Sequence, residues 1–202
     1  NAADTAIFYS NSNTQRGLRG ISFGNFLIKR VVEELKGEFP NLKAFSTLSP
    51  IPMFRHWLEG VIAEGDPNLL TAEDRKRLKK ITGEKFGKGD LLRSVTSGDW
   101  MKGAELSEAL RPALLRLCAR YLVQEKRKER PVDPVARFHL SNGAQVERIN
   151  WLGDISDKGM RESAGMMVNY LYRLNDIEKN HERFAKNGFV TTSSGAKRSR
   201  PR

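Results

Sequence analysis

The start of the chain constrains the fold most, because a strand, a loop, a helix and a second strand follow one another closely there. Thr5 to Ser10 (TAIFYS) is a short apolar run between polar neighbours, which predicts a strand buried on both faces. Residues 11–20 are polar and contain two glycines, as is typical of a loop. Lys43 to Leu48 (KAFSTL) predicts the second strand. Strand, helix and strand within about 45 residues form a crossover unit, whose strands should be close to parallel or flank one sheet.

The helix of this unit is amphipathic. Its apolar residues recur at three- and four-residue steps, at Phe23, Phe26, Leu27, Val31 and Leu35. We expect the helix to end near Gly37 or Pro40.

The middle of the chain is predicted to be helical. Thr71-Ala72-Glu73-Asp74 has the form of a capping box before a polar helix through Ile81. Residues 104–124 predict a longer helix with one apolar side. We interpret residues 65–103 as a helical insertion into an α/β (α+β) protein.

The last third predicts two strands and a helix. Residues 135–140 and 144–151 are strand-like around Ser141-Asn142-Gly143, a hairpin signal. Residues 156–174 predict a helix weakened by Gly159 and Gly165.

The positive charge is unevenly distributed. The chain has 35 Lys and Arg against 24 Asp and Glu, a net charge of +11. Residues 183–202 carry six basic and no acidic side chains, and residues 111–130 carry seven basic and two acidic ones. The first segment, with Thr191 to Gly195 before its basic end, predicts a disordered tail. The second is compatible with a solvated helix face, an interface or the wall of an anionic-ligand site.

Composition excludes several classes of protein. An apolar fraction of 39% is compatible with a globular core, and no run approaches the roughly 20 apolar residues of a membrane-spanning helix. Cys118 is the only cysteine, so an intramolecular disulfide and a thiolate metal cluster are excluded. The few histidines and the spacing of the acids give little support for a metal site or a hydrolase triad.

The loop before the first helix is the sharpest local signal. It reads Arg19-Gly20-Ile21-Ser22-Phe23-Gly24. A small-residue loop that enters a helix N-terminus can bind a pyrophosphate through free backbone N–H groups. This stretch resembles the coenzyme A loop of GNAT acyltransferases, although similar loops also occur where nothing binds.

Ser49 and His139 are the two candidate catalytic side chains. Ser49 precedes Pro50, so it is either the N-cap of a helix through Trp57 or a hydroxyl at the end of a strand, where it can contact a bound acyl group. His139 is the one histidine in an apolar, strand-like segment. It is either a satisfied core residue or a proton donor. His56 falls in a probable helix, and His181 is expected to be exposed.

Five ordered segments resemble the C-terminal catalytic half of the malonyl-CoA decarboxylase family. They span about residues 5–174 and are FYSNSNTQRGLRGISFGNFLIKRVVEEL, FSTLSPIPMFRHWL, LCARYLVQEKR, DPVARFHLSNGA, and RINWLGD with SAGMMVNYLY. The resemblance implies a GNAT-like, acyltransferase-type sheet flanked by helices, present here as a partial domain without the family's N-terminal helical domain. It divides the chain into a first catalytic part (1–64), a helical insertion with a long helix (65–130), the catalytic remainder (131–182) and a basic tail (183–202).

The family's catalytic Ser and His match Ser49 and His139, and its active-site Tyr matches Tyr172, with Tyr170 the alternative. The residues that the resemblance assigns to the coenzyme A loop are Gln15, Gly17, Arg19, Gly20, Ser22 and Gly24. Some family members carry an acidic residue at the position of Ser22, so the role of that acid cannot be assigned to Ser22.

The resemblance implies conversion of malonyl-CoA to acetyl-CoA and CO2 in fatty acid metabolism, without a cofactor or metal. It implies a homo-oligomer with no nucleic-acid or membrane partner, in the cytoplasm or, in a eukaryote, the mitochondrial matrix. Cys118 and the 111–130 helix are candidate contacts of such an oligomer. Two alternatives stay open: a GNAT-type acyltransferase, and a non-enzymatic nucleic-acid-binding protein suggested by the net charge.

Overall fold

The computed structural model describes residues 3–9 and 24–193, and it contains the predicted crossover unit. Strands β1 (Thr5–Phe8) and β2 (Ala44–Thr47) pair in parallel, and α1 (Gly24–Glu38) lies between them in sequence. The expectation that β1 is buried on both faces is wrong. Within the described residues β1 pairs with β2 alone, so it is an edge strand with exposed and half-buried side chains.

The centre of the sheet is β7 (Met167–Tyr172). It pairs antiparallel with β2, with the two-residue strand β3 (Ser49–Pro50) and with β6 (Gln145–Asn150). The described sheet is therefore mixed and has five strands. Strand β6 confirms the strand predicted over residues 144–151.

The single helix predicted over residues 156–174 is wrong. The helix α7 (Asp157–Ser163) ends where Ala164 and Gly165 adopt left-handed backbone conformations, with φ of 49° and 77°. The chain then enters β7, whose backbone groups bond to neighbouring strands on both sides. Hydrogen bonds to strands that are distant in the sequence thus override the helical spacing of the apolar residues in this segment.

The helical middle is confirmed. Thr71 and Asp74 form the predicted capping box of α3, and the predicted long helix is α5. The remaining helices and short strands of the described residues, in chain order, are α2 (Phe54–Glu64), α3 (Ala72–Thr82), α4 (Lys88–Ser97), a 3₁₀ turn (Asp99–Lys102), α5 (Ala104–Val123), β4 (Lys126–Arg127), β5 (Arg130–Pro131), α6 (Pro134–Ser141) and α8 (Ile177–Asn187). Their apolar faces join the sheet in one continuous hydrophobic core. No helix in the described ranges is long and apolar enough to cross a membrane.

The strand predicted over residues 135–140 is wrong, because this segment is helix α6. The Asp133 carboxylate accepts the backbone N–H of Ala136 at 2.8 Å, and Pro134 occupies the first helical position. The predicted hairpin turn is instead the end of this helix. Gly143 follows it with φ of 81°, close against the carbonyl of Ile177.

The disorder predicted from residue 183 is wrong as far as residue 193. Arg183 and Lys186 belong to α8, and the chain then runs beside β6. There the Val146 N–H donates to the Thr191 carbonyl at 2.9 Å, and the Ser193 N–H donates to the Val146 carbonyl at 3.0 Å. Residues 194–202, with the remaining basic side chains of the tail, lie outside the described residues.

The basic side chains of α5 are partly neutralised inside the molecule. Arg116 binds the buried Asp74 carboxylate at 2.8 Å, and Arg120 binds Asp66 at 2.5 Å and Glu125 at 2.9 Å. These arginines therefore tie α5 to α3 and its preceding loop. Cys118 on the same helix is fully buried in this chain's own core, so the expectation that it faces a partner is wrong.

Candidate active site

Three sequence-predicted side chains come together in a buried hydrogen-bonded row. The Ser49 hydroxyl lies 3.2 Å from His139 Nε2, and the Tyr172 hydroxyl lies 2.8 Å from His139 Nδ1. Ser49 opens β3, Tyr172 ends β7 and His139 lies in the last turn of α6. The row therefore joins residues 90 and 33 positions apart in the chain, at the face of the sheet that packs on α6.

Ser49 is a strand residue and not a helix cap. It pairs with Val168 of β7, and α2 begins only at Phe54, with Met53 as its N-cap. The cap interpretation with a helix from Pro50 through Trp57 is therefore wrong. Because Ser49 and Pro50 pair with β7, their backbone belongs to the sheet, and a turn separates β3 from the start of α2.

Burial keeps His139 neutral. The side chain is 2% exposed, and loss of solvation lowers the pKa of its imidazole from 6.5 to about 4. The Tyr170 ring stacks on the imidazole with centroids 4.5 Å apart. At pH 7 the site therefore contains an uncharged imidazole held between an aromatic face and two hydroxyl groups.

The hydrogen bond to Tyr172 favours one of the two positions for the imidazole proton. Tyr172 is fully buried, and among the described residues its hydroxyl has His139 Nδ1 as its hydrogen-bond partner. A buried phenol proton without an acceptor is costly, so the hydroxyl donates to Nδ1. In a neutral ring the proton is then on Nε2, which faces Ser49.

The two candidate tyrosines differ in what they contact. Tyr172 reaches His139 with its hydroxyl, whereas Tyr170 reaches it with its ring. The Tyr170 hydroxyl is buried and has no hydrogen-bond partner among the described residues, and burial holds its pKa well above the ordinary value. Of the two, Tyr172 is thus the one whose hydroxyl contacts the Ser49 and His139 pair.

Thr47 is a site neighbour that the sequence interpretation missed. Its side chain is 1% exposed, and its hydroxyl lies 2.8 Å from the Ser49 hydroxyl and 3.3 Å from the Tyr170 backbone N–H. The period-two alternation of the strand was an available signal, because Thr47 and Ser49 are two residues apart and share a face. We refer to Thr47, Ser49, His139 and Tyr172 as the site row.

Most of the predicted coenzyme A loop lies outside the described residues, namely Gln15, Gly17, Arg19, Gly20 and Ser22. Gly24 is described and is the first residue of α1. Phe8, the last residue of β1, pairs with Thr47, and its carbonyl accepts the Leu48 N–H at 3.1 Å. Strand β1 therefore ends beside the site row.

Two further features of the described residues bear on possible ligands. No group of three or more His, Cys, Asp or Glu side chains in residues 3–9 and 24–193 is placed to hold a metal ion. A cavity of about 480 Å³ lies at the end of α3 and along α4, where Phe86, Arg93 and Trp100 contribute to its wall, and no member of the site row lines it.

The fold and the site row define a class of protein: a GNAT-like α/β domain with a buried Ser, His and Tyr in hydrogen-bond contact. The family model described as the malonyl-CoA decarboxylase C-terminal domain matches residues 1–200. The chain therefore belongs to the malonyl-CoA decarboxylase family.

Similar proteins agree with this assignment. The chain is 47% identical over 181 residues to a malonyl-CoA decarboxylase, mitochondrial, of Anser anser anser, covering 87% of this chain and 36% of that protein. It is 46% identical over 185 residues to the Rattus norvegicus protein of the same name, covering 89% and 37%.

Solved structures of malonyl-CoA decarboxylases are also similar. The enzyme from Rhodopseudomonas palustris has a TM-score of 0.83 at 48% identity, over 98% of this chain and 43% of that chain. The enzyme from Cupriavidus metallidurans has a TM-score of 0.82 at 46% identity, over 97% and 48%. The chain thus spans less than half the length of each of these relatives.

Proposed function

We propose that this chain carries the catalytic centre of a malonyl-CoA decarboxylase, which converts malonyl-CoA to acetyl-CoA and CO2. The observation that carries the proposal is the buried contact of Ser49 with His139 Nε2, in a chain that belongs to this family. Fatty acid metabolism is the corresponding metabolic setting.

The reaction requires stabilisation of an enolate. When CO2 leaves a malonyl thioester, the electron pair moves onto the thioester oxygen, and a proton must then be added to the α-carbon. The thioester itself accepts the electron pair, so we propose that no cofactor takes part. Hydrogen-bond donors directed at that oxygen in a dry site lower the barrier, and one such donor is typically worth about 3 to 4 kcal/mol.

The site row offers donors of this kind. We assign His139 Nε2–H to the thioester oxygen, because the neutral imidazole presents a proton on that nitrogen without introducing a charge. We assign the Ser49 hydroxyl to positioning the malonyl group and assisting proton transfer to carbon. We assign Tyr172 to holding His139 in this orientation.

The absence of a cation within the site row suits the chemistry. A basic side chain clamped on the malonyl carboxylate would stabilise the ground state and oppose loss of CO2. We therefore propose that Arg and Lys side chains meet the coenzyme phosphates, in the segment from Gln15 to Gly24. That segment contains Arg16 and Arg19.

Incubation with malonyl-CoA in the absence of an acyl acceptor tests this proposal. A decarboxylase forms acetyl-CoA and CO2 under these conditions, whereas a GNAT-type acyltransferase requires an acceptor amine. Ser49→Ala and His139→Ala should each lower kcat at least about 100-fold in the full-length protein, since each removes a donor from the reacting atoms. Coenzyme A binding, measured by calorimetry, should persist in both variants. Undiminished turnover in both would refute the assignment.

We further propose a homo-oligomer that does not bind nucleic acid or membranes. It would act in the cytoplasm or, in a eukaryote, in the mitochondrial matrix, and the goose and rat relatives are named as mitochondrial enzymes. The nucleic-acid alternative is disfavoured because much of the excess charge lies in the tail or is paired within the fold. Light scattering of the full-length protein measures the oligomeric state.

A further inference from the structure

Asp133 is a buried acidic residue that the proposed mechanism does not use. Its side chain is 0% exposed, and no Lys or Arg among the described residues forms an ion pair with it. Burial raises the pKa of this carboxyl, because a carboxylate in the core is costly unless hydrogen bonds compensate for the lost solvation. The compensating hydrogen bonds come from two different helices.

The Asp133 carboxylate joins the start of α6 to α5. Its Oδ1 accepts the Ala136 N–H at 2.8 Å and so caps α6, and its Oδ2 accepts the hydroxyl proton of Tyr121 on α5 at the longer distance of 3.4 Å. The Tyr121 ring is fixed in turn, because it packs against the rings of Phe54 and Trp57 with centroids 5.7 and 5.3 Å apart. A carboxylate has one oxygen for each of its two partners, whereas a serine or threonine cap has a single side-chain oxygen.

Helix α6 is short and is held at both ends. It has eight residues, and an isolated helix of about two turns is not stable in water. At the end opposite Asp133, two side chains of α8 bind it. Asn180 Nδ2 donates to the Gly143 carbonyl at 3.2 Å, and His181 Nδ1 donates to the Ser141 carbonyl at 2.6 Å. The two anchored ends together fix the direction of the helix axis.

The position of His139 depends on this helix. His139 follows Asp133 on α6, and its two ring nitrogens lie 3.2 Å from the Ser49 hydroxyl and 2.8 Å from the Tyr172 hydroxyl. Ser49 and Tyr172 belong to the sheet, so both distances change if α6 tilts. A shift of about 1 Å at reacting groups can lower a rate about 100-fold.

We propose that Asp133 is a positioning residue: its buried carboxylate fixes the start of α6 and thereby holds His139 in contact with Ser49 and Tyr172. Without the carboxylate, α6 is anchored by α8 at its other end and can pivot there. The imidazole would then lose part of its contact with the site row, and water would reach it. The effect on turnover rests on the proposed decarboxylase function, whereas the position of the ring does not.

The test compares four variants of the full-length protein. Asp133→Ala removes both contacts of the carboxylate. Asp133→Asn removes the charge, but its amide oxygen can still accept the Ala136 N–H and its amide N–H can donate to Tyr121. Tyr121→Phe removes the contact to α5 and keeps the ring. Ser156→Ala is the matched control, because Ser156 caps α7 by accepting the Gly159 N–H at 3.1 Å, and α7 carries no member of the site row.

Two measurements are made on each variant. An NMR titration of the imidazoles reports the solvation of His139, whose signal is assigned by its absence from the His139→Gln spectrum. Burial holds the pKa of this ring at about 4, so entry of water should raise it toward 6.5. Loss of a nearby negative charge would lower this pKa instead, so the sign distinguishes the two causes. Steady-state assays with malonyl-CoA give kcat and KM.

Asp133→Ala should raise the pKa of His139 toward 6.5 and lower kcat about 10- to 100-fold with little change in KM, because the binding groups for the coenzyme are not altered. Tyr121→Phe should have the same effects to a smaller extent, since its contact is the longer one. Asp133→Asn and Ser156→Ala should keep the wild-type pKa of His139 and the wild-type kcat.

Several results would overturn the inference. An unchanged pKa of His139 or an unchanged kcat in Asp133→Ala would do so. Equal losses in Asp133→Asn would assign the effect to the charge, and equal losses in Ser156→Ala would assign it to a general loss of stability. If Asp133→Ala does not fold, an unchanged pKa and kcat in Tyr121→Phe would overturn it. If the wild type does not decarboxylate malonyl-CoA but Asp133→Ala raises the pKa of His139, the positioning role stands and the proposed function fails.

Discussion

Acidification should destabilise this protein through His139. Burial lowers the pKa of this imidazole from 6.5 to about 4 in the folded protein, so between these pH values the unfolded chain binds the proton more strongly. The stability that the neutral imidazole contributes is fully present above pH 6.5 and is lost as the pH falls toward 4. Each pKa unit corresponds to about 1.4 kcal/mol, so protonation linked to His139 should lower the free energy of unfolding by about 3 kcal/mol between pH 6.5 and pH 4.

Urea denaturation at half-unit steps from pH 7.5 to 4 measures this effect. Other ionisable groups also contribute to the pH dependence of stability, so the comparison is with His139→Gln, which lacks the ionisable ring. The wild type should lose about 3 kcal/mol more than His139→Gln over the window. A direct NMR titration of the His139 ring in the folded wild type provides a second measurement, since His139→Gln is itself a core substitution. Parallel stability curves, or a ring that titrates near 6.5, would refute the reasoning.

Three substitutions with matched controls test other parts of the structure. Tyr172→Phe should lower kcat about 10-fold or more in steady-state assays, because His139 Nδ1 loses its hydrogen-bond donor. Its control Tyr170→Phe should leave kcat unchanged, since the Tyr170 hydroxyl has no hydrogen-bond partner among the described residues. Gly143→Ala should cost more than about 1 kcal/mol in urea denaturation, because φ is 81° and the new Cβ would lie 2.3 Å from the Ile177 carbonyl oxygen. Its control Gly89→Ala has open space in α4 and should be neutral or stabilising. Asp74→Ala should lower the melting temperature clearly, with a loss of about 2 to 4 kcal/mol, because it removes the carboxylate of the capping box, which accepts the Thr71 N–H at 3.0 Å, and leaves Arg116 without its buried ion-pair partner. The exposed Glu73→Ala should change stability by less than about 0.5 kcal/mol, and comparable losses in the two would contradict the role of burial.

Local chemistry explains which parts of the fold were predictable. The first helix, the second strand and the capping box of Thr71 and Asp74 all depend on neighbours within a few residues. Their periodicity and hydrogen-bonding groups are present in the sequence itself. The resemblance to the family also predicts Ser49, His139 and Tyr172 as site residues from the order of residues alone.

The incorrect predictions of a strand over residues 135–140 and of a helix through residue 174 share a different cause. Residues 135–140 have a strand-like composition, but the Asp133 cap and Pro134 start a helix whose apolar side packs into the core. Residues 167–172 have helical spacing with their neighbours, but β2 and β6 supply hydrogen bonds on both sides. In both segments a contact that the local pattern does not encode decides the structure.

The sequence alone determined the family, the crossover unit and the candidate site residues Ser49, His139 and Tyr172, because these depend on residue types in a fixed order. Only the tertiary structure decided that Tyr172 and not Tyr170 bonds to His139, and that Thr47 completes the site row. It also decided that the α5 arginines bind acids of the preceding helical segment. These outcomes depend on the directions of side chains from distant elements, and folding brings those elements together through burial and strand pairing that no single segment specifies.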